Sequence, residues 1–216
     1  MDPVLIALLA VTTAVGVGAG VRSLKSQEPD AELPDRDREE RRAGLLLAQR
    51  RFRGEVLNEK DGWVAGRSGG FHITYRLKQK TTKKSVRRWT ELDVAIPATS
   101  NLIELELRPH RAGSSETLIT GNPFYDTFFL RVDPPLAGPE LFDNSLRKRL
   151  LDLHPIRLAQ GPNGLRVETD GWSQDRPRIK ELLTLSAALG ERIVHVSERL
   201  ARMGRRRPRK FRRWYR

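Results

Sequence analysis

Acidic side chains alternate along two consecutive segments that have the pattern of β-strands, an arrangement that suits a hard cation or a shared proton. These acids are Glu91, Asp93, Glu104 and Glu106. If residues 98–101 close a hairpin between the two strands, Asp93 lies opposite Glu106 and Glu91 lies opposite Arg108. The alternative is a solvated strand face on which the acids neutralise nearby cations. We therefore treat Asp93 and Glu106 as the candidate cation-binding or acid–base pair of an enzyme.

A literal G-x-S-x-G motif, Gly66-Arg67-Ser68-Gly69-Gly70, offers a second enzymatic interpretation. In α/β-hydrolases this motif works because a strand turns sharply into a helix and exposes the serine. Here the motif leads into FHITYRL (71–77), in which apolar and polar residues alternate as they do in a strand. We therefore interpret the motif as a glycine-containing hairpin turn that holds no nucleophilic serine.

The sequence offers little for metal or thiol chemistry. It contains no cysteine, which excludes disulfides, thiol nucleophiles and thiolate zinc sites. The histidines are His72, His110, His154 and His195. No two of them have the i, i+2 or i, i+4 spacing of paired ligands on one strand or helix, so each is interpreted as a surface or capping residue. The sequence predicts neither a bound metal nor a cofactor.

Residues 78–88 (KQKTTKKSVRR) carry six cations and no acid between two strand-like segments. A hairpin tip of this composition exposes ammonium, guanidinium and hydroxyl groups that can contact phosphate. The alternative interpretation is a solvated turn. Neither common form of glycine-rich phosphate loop occurs in the chain.

Residues 205–216 (RRRPRKFRRWYR) form a basic-aromatic tail that contains eight cations and no acid. Without it, the formal net charge of +13 falls to +5. Arginines with interleaved aromatic rings bind nucleic acid by phosphate pairing and base stacking, and they also bind anionic membrane surfaces. The residues predicted to make this contact are Arg205, Arg206, Arg207, Arg209, Lys210, Phe211, Arg212, Arg213, Trp214, Tyr215 and Arg216. We favour the membrane, with nucleic acid or an acidic protein as alternative partners.

Residues 3–21 (PVLIALLAVTTAVGVGAGV) contain no charge over nineteen positions, which is long enough to span a bilayer as a helix. A signal peptide would begin with lysine or arginine and end in a small-x-small cleavage site, whereas this run follows Asp2. The cations after the run are Arg22, Lys25, Arg36, Arg38, Arg41 and Arg42. Because clustered cations resist translocation, we expect a transmembrane anchor over 1–21 in the cell membrane, with the rest of the chain in the cytoplasm.

The rest of the chain divides into a charged linker over 22–51 and an α+β domain over 52–204. Within the linker, Asp35 can cap a helix that continues to about Arg51. In the domain, alternation of apolar and polar residues predicts strands at 71–77, 90–96, 102–108, 127–132, 156–160 and 165–169. The predicted fold class is thus α+β, in which an N-terminal transmembrane helix precedes a mainly antiparallel sheet.

Helical spacing of leucines predicts two helices in the C-terminal half of the domain. The first covers residues 139–153 and begins with a proline in its first turn. The second covers about 177–203, with Asp175 as its cap and Gly204 as its end.

The run TGNPFYDTFFLRV (120–132) precedes a helix with RLLDLHP (149–155), the segment GLRVETDGW (164–172) and a long closing helix. This order resembles a domain of uncharacterised bacterial membrane-anchored proteins. Their Gly-(Asp/Asn)-Pro-x-(Phe/Tyr)-Asp box corresponds here to Gly121, Asn122, Pro123, Tyr125 and Asp126. The resemblance covers about half of the chain, implies membrane anchorage and an α+β domain, and transfers no site. The box itself reads as a turn before a buried strand, with Phe124 or Tyr125 packed.

Taken together, these features predict a single-pass membrane protein that acts as a binding or scaffolding module, with residues 3–21 in the lipid bilayer and the basic tail on its anionic surface. One alternative is a membrane-anchored enzyme or cation-binding domain whose site assembles only in three dimensions. The other is a nucleic-acid-binding protein tethered to the membrane. The sequence favours binding over catalysis and leaves the oligomeric state open.

Overall fold

The fold of the chain was obtained as a computed structural model, which describes residues 34–82, 84–97, 102–110, 120–161 and 164–206. The predicted span over 3–21 lies outside these residues, as does the tail from Arg207 onward. Among the helices that are described, none is both long and apolar enough to cross a membrane.

The elements follow one another as helices and short antiparallel strands. The helices are α1 (Asp35–Gln49), α2 (Pro123–Thr127), α3 (Gly138–Leu141), α4 (Asn144–Asp152) and α5 (Arg176–Arg206). The strands are β1 (Arg53–Asn58), β2 (Trp63–Ser68), β3 (Phe71–Thr81), β4 (Val86–Val94), β5 (Glu104–Pro109), β6 (Phe128–Asp133), β7 (Ile156–Gly161) and β8 (Gly164–Asp170).

The eight strands form one antiparallel sheet in the order β1-β2-β3-β4-β8-β7-β5-β6. This confirms the predicted α+β class and the antiparallel sheet. The pairing of β4 with β8 joins the N-terminal strands to the C-terminal strands, and it runs from Trp89 opposite Asp170 to Val94 opposite Leu165. Consequently β4 and β5, which are consecutive in the chain, are not neighbours in the sheet.

One face of the sheet forms the hydrophobic core with the helices. Along β3 and β4 the buried residues alternate with polar ones, so that Ile73, Tyr75 and Leu77 share the core side with Leu92 and Val94. Such alternation places every second side chain on the opposite face, which is open to solvent. The strands therefore have one apolar and one charged face, as the sequence predicts.

Helix α1 belongs to the domain although the sequence places it in the charged linker. Its residues Leu45 and Ala48 are fully buried in the core, three positions apart on one helical face. Gly44 on the same helix lies so close to the core that an added Cβ would sit 2.9 Å from a methyl group of Leu77. The compact unit accordingly begins at Arg36, not at residue 52.

The two predicted C-terminal-half helices are present with different bounds. The segment 139–153 is divided because Asp143 accepts a hydrogen bond from the Leu146 backbone N–H at 2.8 Å and caps a new helix, α4. Helix α5 is capped by Asp175, as predicted, through the Arg178 N–H at 3.3 Å. It continues two residues past Gly204, to Arg206.

Helix α5 runs antiparallel to β3 across the sheet. Near its start, Arg178 donates a hydrogen bond to Thr169 Oγ1 at 3.0 Å, at the level of Leu77. About three turns later, Gly190 packs so closely on Phe71, at the start of β3, that an added Cβ would lie 3.3 Å from its ring. At 31 residues, α5 is about 46 Å long. Its C-terminus therefore extends well beyond the end of the sheet at which the β2–β3 turn lies.

The hairpin between β7 and β8 provides a test of this sheet. Gly164 has a φ of +128° and lies against β4, where a Cβ would sit 2.1 Å from the carbonyl oxygen of Val94. We expect Gly164→Ala to lower the free energy of unfolding by about 2–4 kcal/mol, because it adds backbone strain and a clash that cannot relax easily.

The matched control is Gly161→Ala at the other end of the same turn, since an added Cβ there meets nothing within 4 Å. That change should cost less than about 1 kcal/mol. Urea denaturation of the fragment 34–216, which retains the core, measures both. Equal effects of the two substitutions would contradict the described β4–β8 packing.

Candidate binding surfaces

A cluster of ion pairs lies on the sheet face opposite α5; we call Arg76, Lys78, Glu91, Asp93 and Arg166 the β4 charge cluster. Lys78 Nζ is 2.9 Å and Arg76 Nη1 is 3.3 Å from Glu91 Oε1, and Arg166 Nε is 3.0 Å from Asp93 Oδ1. Arg76 also pairs with Asp93. Because these side chains cover it, the Glu91 side chain is only 3% exposed.

The register of β4 explains why these cations are needed. Glu91 lies opposite Glu168 on β8, and like charges directly opposite each other destabilise an antiparallel pair. On the other side, Glu91 lies opposite Arg76 of β3. Glu91 and Glu168 are therefore facing carboxylates, as are Glu104 and Asp133 of β5 and β6. The sequence did not reveal the first pair because β4 and β8 are distant in the chain.

The predicted pairing of Asp93 with Glu106 is wrong. Strands β8 and β7 lie between β4 and β5, which separates the two predicted partners by about 14 Å at 4.8 Å per strand. Asp93 instead lies opposite Arg166, and Glu106 forms an ion pair with Arg108 at 3.4 Å. The predicted position of Glu91 opposite Arg108 fails for the same reason.

The β4 charge cluster is suited to holding strands together. Both of its acids are paired with arginine or lysine. Partial burial of Arg166 lowers its pKa, but Asp93 and Glu91 outweigh that effect, so the pKa is raised and the guanidinium stays charged. Among the described residues, no three histidine, aspartate or glutamate side chains converge as metal ligands.

The G-x-S-x-G segment is a hairpin turn, as predicted. Ser68 at the end of β2 pairs with Phe71 at the start of β3, and only Gly69 and Gly70 lie between them. Both glycines have positive φ, 56° and 83°, as a tight two-residue hairpin turn requires.

The cation-rich segment 78–88 forms a two-stranded arm, which we call the β3–β4 arm. Strand β2 pairs with β3 only as far as Arg76, and β8 pairs with β4 only from Trp89. Beyond these points β3 and β4 pair only with each other, to Thr81 opposite Val86. The turn is closed by Thr82, whose N–H and side-chain hydroxyl both bond to the carbonyl oxygen of Ser85, at 2.8 and 3.1 Å.

The base of the arm is fixed to the helical layer. Trp172 Nε1 donates a hydrogen bond to the Lys78 carbonyl oxygen at 2.8 Å, and the Arg88 guanidinium lies 4.9 Å from the centre of the Trp172 ring. Arg88 also pairs with Asp37 in the first turn of α1. The arm and the start of α1 therefore lie at the same end of the domain.

The box at 121–126 forms a capped helical turn, in agreement with its interpretation as a turn before a strand. Asn122 Oδ1 accepts the Phe124 N–H at 3.0 Å, and Asp126 Oδ1 accepts the Thr120 N–H at 2.7 Å. Phe124 is 1% exposed in the core, whereas Tyr125 is 36% exposed. The guanidinium of Arg147 lies over both rings, 5.6 and 5.1 Å from their centres. The box thus fixes the entry into β6.

An open groove of about 470 Å³ lies between α5 and the start of α4. It is lined by Pro139, Glu140, Asp143, Glu191, Arg192, His195 and Val196. Two of its acids are paired: Asp143 bonds to Arg192 of the lining, and Glu140 bonds to Arg199 outside it. The Arg192 hydrogen bond holds the pKa of Asp143 below its ordinary value. These ion pairs join α5 to α3 and to the cap of α4.

The remaining predicted site residues are placed as follows. Arg205 and Arg206 are the last two residues of α5, and the tail from Arg207 onward lies outside the described residues. Of the histidines, His72, His154 and His195 are exposed. His110 forms a hydrogen bond between its Nε2 and the Tyr125 carbonyl oxygen at 3.1 Å.

Comparisons of the chain with protein-family models, with curated proteins and with solved structures found no match.

The β4 charge cluster yields a second test. We expect Glu91→Gln to lower the free energy of unfolding by about 3 kcal/mol, because it leaves Lys78 and Arg76 partly buried with one fewer counter-ion. Denaturation by urea at neutral pH measures the change.

The control is Glu104→Gln on the same face, whose ion pair with Arg131 is exposed and 3.9 Å long. Removing such a pair should cost less than about 0.5 kcal/mol. If Glu91→Gln costs no more than this control, the cluster does not stabilise the sheet in the way described.

Proposed function

We propose that this chain is a single-pass membrane protein whose α+β domain is a binding or scaffolding module on the cytoplasmic side. Residues 3–21 form the anchor, and the tail over 205–216 contacts the anionic membrane surface. The resemblance to membrane-anchored bacterial proteins around Gly121–Asp126 supports the same assignment. In this proposal the domain presents surfaces for a partner and carries out no reaction.

The observation that carries the proposal is how charge is distributed along the chain. In the central strands, Glu91 and Asp93 are each paired with cations, so the charged face there is internally neutralised. The tail, in contrast, has eight cations and no acid. Cations near an anionic leaflet contribute about 1 kcal/mol each before screening, and aromatic rings settle among the headgroups.

The lengths of the connecting segments are compatible with this arrangement. Residues 22–34 can reach about 43 Å when extended, and residues 207–216 can reach about 33 Å. Helix α5, about 46 Å long, separates the arm end of the domain from the point where the tail begins. When α5 lies along the bilayer surface, each segment has to bridge only the gap between its own end of the domain and the bilayer, so the anchor and the tail can engage one bilayer at the same time.

The anchor is tested by fractionation. We expect the full-length chain to stay in the membrane pellet after a carbonate wash, because an uncharged run of nineteen residues is stable in the bilayer core. A reporter fused after Arg216 should give a cytoplasmic signal. Recovery of the full-length chain in the soluble fraction removes the anchor, and a signal from the opposite side reverses the orientation.

The tail is tested with fragments that keep α1 intact. Fragment 34–216 should bind vesicles that contain anionic lipid, and fragment 34–204 should bind them at least about tenfold more weakly, because it lacks the eight tail cations. Binding should weaken with salt, and Phe211, Trp214 and Tyr215 should leave a salt-resistant remainder.

Alanine at these three aromatic positions should remove that remainder and spare the salt-sensitive part. Single-stranded nucleic acid at matched charge concentration is the competing ligand. If it binds fragment 34–216 far more tightly than the vesicles do at physiological salt, nucleic acid is the partner of the tail.

A further inference from the structure

We propose that the β3–β4 arm is a second contact with anionic phospholipid headgroups, separate from the tail. This inference rests on the proposed membrane anchorage and adds a site within the folded domain. It concerns residues Lys80 and Lys84 with Arg87, near the tip of the arm. The surface chemistry that it recognises is the phosphate and carboxylate groups of lipid headgroups.

The arm is a narrow projection from the sheet. Over Gln79–Thr81 and Val86–Arg88 the two strands pair with each other and have no further strand beside them. At about 3.3 Å per residue they project roughly 10 Å before the turn begins. Such a projection leaves both strand edges open, so its side chains can contact the headgroup layer when the arm lies along the membrane, in the same direction as α5.

The tip of the arm carries positive charge. Lys80 and Lys84 are exposed, and neither forms an ion pair with another described residue. Arg87 is about half exposed and its pair with Asp170 is 3.5 Å long, which is too weak to neutralise it in water. Arg76 and Lys78 of β3, which lie farther from the tip, differ from these cations because each forms an ion pair with Glu91.

The arm carries its exposed aliphatic side chain and its tip cations on different faces. Val86 is 52% exposed at the tip, where it pairs with Thr81 on the side opposite Lys80 and Arg87. The Arg87 guanidinium lies 5.5 Å from the centre of the Trp89 ring. Val86 and the two cations therefore lie on opposite faces of the arm, and the face that carries Lys80 and Arg87 is the one that meets the headgroups.

The base of the arm lies at the same end of the domain as the start of α1. Arg88 at the base of the arm pairs with Asp37, two residues after α1 begins. Thirteen residues separate the end of the predicted span from α1. The short connection keeps the start of α1 within about 43 Å of the predicted span, and the base of the arm lies beside it, so a weak headgroup contact benefits from a high effective concentration.

A basic two-stranded ribbon also fits the major groove of DNA, so nucleic acid is the competing ligand. The connection to the predicted span favours the membrane. A contact made by three cations is weak on its own and depends on tethering, which the anchor provides. Hence the experiment must use the full chain in a bilayer.

The full chain lends itself to site-specific labelling because it has no cysteine. We would introduce Thr81→Cys near the tip, or Tyr215→Cys in the tail, and attach an environment-sensitive fluorophore. The labelled chains are reconstituted into vesicles of phosphatidylcholine alone or of equal parts phosphatidylcholine and phosphatidylserine. The arm label should shift to the blue only with phosphatidylserine, and added salt should reverse the shift.

The charge-reversal variant Lys80→Glu with Lys84→Glu should reduce the shift of the arm label at least about fivefold and leave the tail label unchanged. Arg67→Glu with Lys148→Glu, two exposed cations outside the arm, changes the net charge equally and should reduce the arm signal little. Circular dichroism confirms that each variant is folded, and Lys80→Gln with Lys84→Gln repeats the test with a milder change.

The outcomes separate the two proposals. A response from the tail label with none from the arm label overturns the second contact and leaves the proposed function in place. Silence from both labels in phosphatidylserine vesicles counts against surface contact as a whole. If single-stranded or duplex DNA shifts the arm label more than the vesicles do at physiological salt, the arm binds nucleic acid and the inference is wrong.

Discussion

The pairing of β4 with β8 is the constraint on which the rest of this structure depends. It joins two groups of strands that are each built from nearby segments, and its partners are about 75 residues apart in the chain. On the core side it brings Leu92 beside Val167, both fully buried. On the other side it brings two glutamates together, which the cations of β3 and β8 must neutralise. The β4–β8 pair therefore determines both how the core is joined and where the two glutamates face each other.

This constraint also explains how far the sequence could be interpreted. Local patterns predicted the strands from β3 onward, the turn at Gly69–Gly70 and the Asp175 cap, since each depends on neighbouring residues. The partner of β4 could not be predicted, because alternation shows which side chains share a face and does not show which strand lies alongside. The Asp93–Glu106 pair was therefore inferred from a hairpin that the chain does not make.

Other differences between the predicted and the observed elements have separate causes. Strand β2 escaped prediction because Val64, Ala65 and Gly66 are all buried, which hides the alternation. Helix α1 was assigned to the linker because its charged residues outnumber the few that reach the core. The arm composition was visible as a cation-rich turn, but its projection beyond the sheet depends on where β2 and β8 stop pairing. That boundary is a property of the whole sheet.

The contact between Arg88 and Asp37 has a mechanical consequence. If the anchor holds residues 3–21, tension on the linker reaches the folded domain at the first turn of α1. The Asp37–Arg88 ion pair passes part of that load to β4, because Arg88 belongs to that strand. Arg88 also stacks on Trp172. Strand β4 is held on both edges, by nine residue pairs to β3 and six to β8. Pulling on the linker therefore loads a strand that is held on both edges as well as the first turn of α1.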